Sequence, residues 1–442
     1  MKRNNRTQGE VNKVSESIVG STLTEKILAL STDRDKVRAG DFIDSKVDLV
    51  MTHDHQGPMT LLEFSKLPVK KVWDHSRVVM VIDHRTPSQT EKAAENHHLM
   101  RLFAKEQGIQ NFYDTGEGVC HDLIAERGHV VPGMVFVATD SHTVTAGALG
   151  AFATGIGSSE MASVLATGRL WFMVPETVRI EMKGSLTTGV YGKDIALHLL
   201  RMVGTSGFDY KAVEFLGPAT GEISMDSRMS LCNMCLEAGA KNAVFEPDEI
   251  TKDYLNQKGI QNYPILKSDK DAKYLKQIDI DLSDLEPLVA EPYSPDKVKT
   301  AVEIEKECVT INQAIIGTCT NGRYEDIEAA ARILKGKKVA PGVRLLIVPS
   351  TRPLWLRASQ EGLLDIFMQA GAIVSYPCCG PCGAYGMGAM ANDETCITTG
   401  SRNFVARLGA PKAKIYLGNA ATVAASAVAG HIVDPRSYLK ED

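Results

Sequence analysis

Short, unbroken apolar runs recur along the chain. Residues 78–82 (VVMVI) and 134–139 (MVFVAT) show no polar alternation, which predicts strands covered on both faces. Residues 47–51 read as a further short strand. Both longer runs stop at polar residues, Asp83-His84 and Asp140-Ser141-His142. Helical periodicity separates the runs. Thr22 and Glu25 have capping-box spacing ahead of Ile27, Leu28 and Leu30. The small-residue stretch 155–160 (GIGSSE) predicts a close strand-to-helix turn, with Ser158 or Ser159 starting a helix over 161–170. In the last third a strand over 312–317 ends at Thr318-Cys319-Thr320-Asn321-Gly322. A helix over 324–335 follows, with Ile327, Ala331 and Leu334 on one face and Gly336 as its stop. Then come a strand over 343–348, a helix over 353–369 and a strand over 372–376. This alternation predicts an α/β fold with parallel or mixed sheets flanked by helices. Composition shifts near 178–184. The stretch 266–299, rich in Lys, Asp and Pro, reads as a surface crossing and boundary. Three domains are expected, over 1–180, 181–300 and 301–442.

The length of 442 residues fits two to four domains at about 150 residues each. A net charge of −5 with 44% apolar residues excludes a collagen, a wholly disordered chain and a strongly basic nucleic-acid binder. No apolar run approaches the roughly 20 residues needed to span a bilayer. The basic N-terminus has no apolar core behind it, so no secretory signal is read there. A soluble cytoplasmic protein is expected, with no membrane or nucleic-acid partner. GIGSSE lacks the third glycine and acidic partner of a dinucleotide site.

The nine cysteines are odd in number and follow no export signal, which points to metal binding or catalysis before disulfides. Cys319 sits at one strand end and Cys379-Gly380-Pro381-Cys382 at another. Strand ends of a doubly wound sheet open on one edge, where ligands bind. Three thiolates without an obvious fourth ligand suit a four-iron cluster with one open iron. A zinc site on the same thiolates is the weaker reading. Cys232 and Cys235 share the CxxC spacing but read as packing, and Cys378 as a neighbour of Cys379. Cys120, Cys308 and Cys396 read as buried or inert thiols. Asp83-His84, His121-Asp122 and Asp140-Ser141-His142 supply histidine–carboxylate pairs suited to proton transfer near neutral pH. The remaining histidines, among them His53, His55 and His97, read as structural or solvated. Arg402 and Arg407 supply the forked donors that a di- or tricarboxylate requires, although a surface loop has the same pattern.

In these blocks the chain resembles the aconitase superfamily, on the branch of cluster-bearing large subunits of two-subunit hydro-lyases. The resemblance rests on ATDSHTVTAGALGAFATGIGSSEMA at 138–162, SLCNMCLEAGA at 230–240, IIGTCTNGRYEDIEAA at 315–330, CGPC at 379–382, SRNFVAR at 401–407 and ATVAASAVAGHI at 421–432. It implies a three-domain core with a [4Fe-4S] cluster at the domain interface, held by Cys319, Cys379 and Cys382. The open iron would act as a Lewis acid on the substrate hydroxyl. Asp83, His84, His121, Asp140, His142 and Glu237 would surround the cluster as catalytic residues. Ser141, Asn233, Arg402 and Arg407 would bind substrate. The implied reaction is reversible dehydration of a 2-substituted malate, with 3-isopropylmalate of leucine biosynthesis first. Methylmalate, 2,3-dimethylmalate and homoaconitate stand behind it. A non-catalytic iron–sulfur or RNA-binding role is the reading from another class, and the acidic charge opposes it.

Three departures from the family pattern stand out. Ser401 replaces a common Asn, Ala406 replaces the usual Gly, and Pro58 falls where aconitases carry a substrate-reading glutamine. The chain stops about ten residues after Ile432. The expectation is therefore that the swivelling fourth domain, with the proton-abstracting serine, belongs to a separate small subunit of roughly 160 to 200 residues in a heterodimer or heterotetramer.

Overall fold

The computed structural model describes residues 20–383 and 386–439. Three main sheets organise them. The first is wholly parallel, in the order Asn111–Tyr113, Val78–Val81, Leu49–His53, Val135–Ala138, Phe152–Gly155. Its inner strands are buried along their whole length, which is why their sequences read as unbroken apolar runs. The second sheet is also parallel: Asn242–Phe245, Ala212–Leu216, Thr177–Lys183, Lys276–Asp281. The third has seven strands. Five run parallel (Lys414–Leu417, Thr395–Thr398, Gln313–Ile316, Arg344–Ile347, Ile373–Val374), and Leu288–Ala290 and Val298–Thr300 form an antiparallel edge. Phe42–Lys46 and Arg169–Met173 make a separate antiparallel ribbon. Helices flank the sheets, so the α/β expectation holds.

Local signals place most element starts. The capping box at Thr22 has both reciprocal bonds. The helix Tyr324–Leu334 buries Ile327, Ala331 and Leu334 as its periodicity requires. The helix at GIGSSE begins at Ser158, one of the two serines expected to start it, and ends at Thr167, three residues short of the expected end, at left-handed Gly168.

Two expectations need correction. The helix read over 353–369 is two helices, Arg352–Gln360 and Leu363–Ala370, because Gly362 takes φ +76° between them. The stretch read as a surface crossing contributes strands to two sheets. Lys276–Asp281 lies at a sheet edge with its first residues exposed, so a charged composition is compatible with pairing. Among the described residues, no helix is long and apolar enough to cross a membrane.

Candidate active site

The candidate side chains gather where strands of the first and third sheets end. In the first sheet three parallel strands terminate in His53-Asp54-His55, Asp83-His84 and Thr139-Asp140. The Asp54 carboxylate is the keystone of this edge. One oxygen accepts from the backbone N–H groups of Asp83 at 3.0 Å and His84 at 2.9 Å. The other accepts from Arg85 N–H at 2.8 Å and lies 3.2 Å from His97 Nε2. Burial opposes ionisation of Asp54, but His97, His84 and these N–H groups outweigh it and hold its pKa well below the usual range.

Asp54 thereby fixes the Asp83-His84 segment. Asp83 Oδ1 lies 2.8 Å from His84 Nδ1, while Asp83 Oδ2 accepts from Cys120 N–H at 2.8 Å. The His84 ring stacks on His53 with centroids 4.1 Å apart. Burial works against a charged His84, but Asp83, Asp54 and Asp140 prevail and raise its pKa to about 10. His55, next along the stack, moves the other way. Burial and the neighbouring His84 and His53 lower its pKa to about 4. Near neutral pH the stack thus holds a charged and a neutral imidazole side by side.

Asp140 organises the opposite wall. His121 Nε2 is 2.8 Å from Asp140 Oδ1, which also accepts from His142 N–H at 2.7 Å. His53 Nε2 lies 3.4 Å and His84 Nε2 3.8 Å from the other oxygen. Burial again opposes the charge on Asp140, and His121 and His53 overcome it, holding the carboxyl well below its ordinary value. His142 Nε2 reaches Glu237 Oε1 at 2.9 Å, and Glu237 in turn pairs with Arg402 Nε at 2.9 Å. Arg402 Nη2 donates to Ser141 Oγ at 3.1 Å.

The thiols come from the third sheet. Cys319 follows the strand Gln313–Ile316 through Gly317 and Thr318, and Thr318 takes φ +76°, strained for a β-branched residue. Arg323 clamps this turn from behind. It donates to the carbonyls of Cys319 at 2.6 Å and Thr320 at 2.8 Å, and its Nε lies 2.6 Å from Asp122. Asn233 Nδ2 donates to Cys319 Sγ at 3.3 Å and to Thr145 Oγ1 at 2.9 Å. Cys379 N–H donates to Asp83 O at 2.8 Å, which ties the CxxC turn to the first sheet. Arg407 Nη2 donates to Cys382 Sγ at 3.0 Å. The adjoining Cys379 thiol holds Cys382 well below the usual thiol value; burial opposes this, and Arg407, His142 and Arg402 assist. Cys319, Cys379 and Cys382 line one cleft of about 240 Å³ together with His84, His121, His142, Arg402 and Arg407.

That donor set fits an iron–sulfur cluster. Three thiols face one cavity, and an amide and a guanidinium already donate to two of their sulfurs, which orients the sulfurs and favours their thiolate form.

All thirteen residues singled out from the sequence lie in or directly against this cleft, but three details differ from expectation. His121 and Asp122 do not pair; neighbours on the helix Cys120–Glu126 point apart, so His121 meets Asp140 and Asp122 meets Arg323. His142 takes its side-chain partner, Glu237, from 95 residues away. His53 and His55, read as structural or solvated, line the cleft, as do Cys120 and Gln56. Pro58 sits at the start of the helix Gly57–Ser65 and is not among the cleft-lining residues. The signal for His53 and Asp54 was the same strand-end rule that exposed Asp83 and Asp140. Cys232 and Cys235 are buried packing residues at the end of the helix Met225–Cys235.

Parallel sheets whose strand ends converge on three thiols, two arginines and carboxylate-held imidazoles define a class. The chain belongs to the aconitase family (aconitate hydratase), whose model matches residues 25–430. Proteins of this family carry a [4Fe-4S] cluster. Among curated proteins, the chain is 47% identical over 422 residues to "3-isopropylmalate dehydratase large subunit 1" of Methanopyrus kandleri, covering 95% of this chain and all of the relative. It is 46% identical over 418 residues to the 3-isopropylmalate dehydratase large subunit of Acetivibrio thermocellus, covering 94% and 99%. The Pyrococcus abyssi large subunit 1 is 44% identical over 423 residues, covering 96% and all of the relative.

Proposed function

We propose that this chain is the cluster-bearing large subunit of a hydro-lyase that interconverts 3-isopropylmalate and its isomer by dehydration and rehydration. The observation that carries this reading is the meeting of two sets of groups in one cleft. One set is the three thiols Cys319, Cys379 and Cys382. The other is the Arg402–Glu237–His142 chain and the charged His84. Relatives of near-equal length bear the corresponding name.

The three thiols would hold a [4Fe-4S] cluster, and its open iron supplies Lewis acidity toward a hydroxyl and a carboxylate. Arg402 and Arg407 bind the carboxylates of the malate. Glu237 and Ser141 orient the Arg402 fork. His84, kept protonated by Asp83, donates its Nε2 proton as the C–O bond breaks, so hydroxide leaves as water. The carbon-bound proton leaves to a base on the small subunit, and both transfers reverse in hydration. Asp140 keeps His121 and His53 oriented through the cycle. We take the three sheets as the cores of three domains meeting at this cleft, the small subunit covering its mouth, and the holoenzyme as cytoplasmic.

Anaerobic co-expression with a candidate small subunit tests the reading. A brown protein with iron in excess of zinc is expected. It should turn over 3-isopropylmalate faster than methylmalate, 2,3-dimethylmalate or homoaconitate, and lose activity without the partner. Colourless, iron-free protein after anaerobic reconstitution, or no turnover of any 2-substituted malate, would overturn it.

A further inference from the structure

One fully buried cation has no part in the reaction above. Lys193 is 0% exposed and stands second in the helix Gly192–Val203, at the positive end of the helix dipole, where a cation is disfavoured. Removing an ammonium from water costs several kcal/mol unless its donors are well used. Here they are spent on main chain. Nζ donates to the carbonyls of Thr399 at 3.1 Å and Gly400 at 2.5 Å, and lies 3.7 Å from Met234 Sδ.

Those contacts are specific in what they join. Thr399 and Gly400 lead from the strand Thr395–Thr398 directly into Ser401-Arg402. Met234 sits in the helix Met225–Cys235, beside Asn233 and three residues before Glu237. Lys193 therefore bridges the segments that carry the two halves of the Arg402–Glu237 pair. We propose that Lys193 is a positioning residue that sets the turn carrying Arg402 to receive a substrate carboxylate. The assignment rests on the reading of Arg402 as a carboxylate ligand. Asp326, Glu237, Asp194 and the Cys319 thiol face Lys193 and favour its charge, while burial disfavours it and pushes its pKa down to about 7. The ammonium is thus lost as the medium turns alkaline, and its grip on the two carbonyls weakens with it.

The test compares wild-type holoenzyme with Lys193→Met and Lys193→Gln, measuring kcat and KM for 3-isopropylmalate between about pH 6 and 9, with the visible cluster absorption as a control. Removing one charged contact on the turn should raise KM about tenfold and leave kcat within about threefold. The cluster spectrum should not change. Wild-type KM should climb as pH rises, and the variants should lose that climb. A soluble variant with wild-type KM, or one that loses kcat at constant KM, overturns the assignment. If neither variant folds, the wild-type profile decides: a rising KM supports the assignment and a flat one refutes it. Failure of the underlying reading looks different, since the wild type itself would then turn over no 2-substituted malate.

Discussion

Replacing Asp54 by Asn is the sharpest probe of how the first sheet presents its cleft-lining edge. The carboxylate is fully buried and takes four donors, two on each oxygen. An amide of the same shape keeps one acceptor oxygen and turns an NH2 group toward the other two donors. A hydrogen bond to a charged group is worth about 1.5–3 kcal/mol, so losing two costs roughly 3–6 kcal/mol. Three of the four donors are the backbone N–H groups of Asp83, His84 and Arg85, so the change should also loosen the segment that aims His84. A misplacement on the order of 1 Å lowers kcat about a hundredfold. Unfolding by urea and holoenzyme turnover measure the two effects. The pH dependence adds a check. The folded pKa of Asp54 lies below its unfolded value, so its contribution is present above about pH 4 and is lost as pH falls through the folded value. The gap between wild type and Asp54→Asn should therefore be widest near neutrality and narrow in acid. A variant within about 1 kcal/mol of wild type with unchanged kcat would refute the keystone role.

Further outcomes follow from the same geometry. Arg323→Met should cost about 3–5 kcal/mol in urea unfolding, because the buried Asp122 carboxylate loses its partner; Asp122→Asn on top should recover part of that loss. Ala406 takes φ +62°, a conformation that costs a side-chain-bearing residue about 1–2 kcal/mol, against roughly 0.5–1 kcal/mol for the freedom a glycine loses. Ala406→Gly should therefore raise unfolding stability by about 0.5–1 kcal/mol. The folded pKa of His84 lies above its unfolded value, so its charge stabilises the fold fully below about pH 6.5 and ceases to do so as pH rises through about 10. His84→Gln should thus be destabilised near neutrality, and its curve should converge on wild type in strong alkali.

Much of the fold was readable because it rests on local signals. The unbroken run Val78–Val81, the capping box at Thr22 and the amphipathic face of Tyr324–Leu334 each follow from side chains within one element. Gly362 escaped because apolar residues lie on both sides of it, and its left-handed backbone breaks the helix. In the site, residue types at strand ends were legible, but partners were not. His142 and Glu237 are brought together by packing between Ser141–Leu149, which joins two strands of the first sheet, and the turn Leu236–Ala238 that follows the helix Met225–Cys235, which no spacing encodes. His121 and Asp122 misled for the opposite reason: adjacency along a helix sends two side chains in different directions. His53, Asp54 and His55 lay at a strand end in plain view.

Asp140 has one further implication. Four imidazoles, those of His53, His84, His121 and His142, place a ring nitrogen within 3.8 Å of its two oxygens. Two oxygens thus set the spacing of four rings that come from three strand ends and one helix. The rings form one mounted unit, and a displacement of Asp140 reaches every one of them at once. The wall of the cleft is therefore only as rigid as the strand end that carries this one carboxylate.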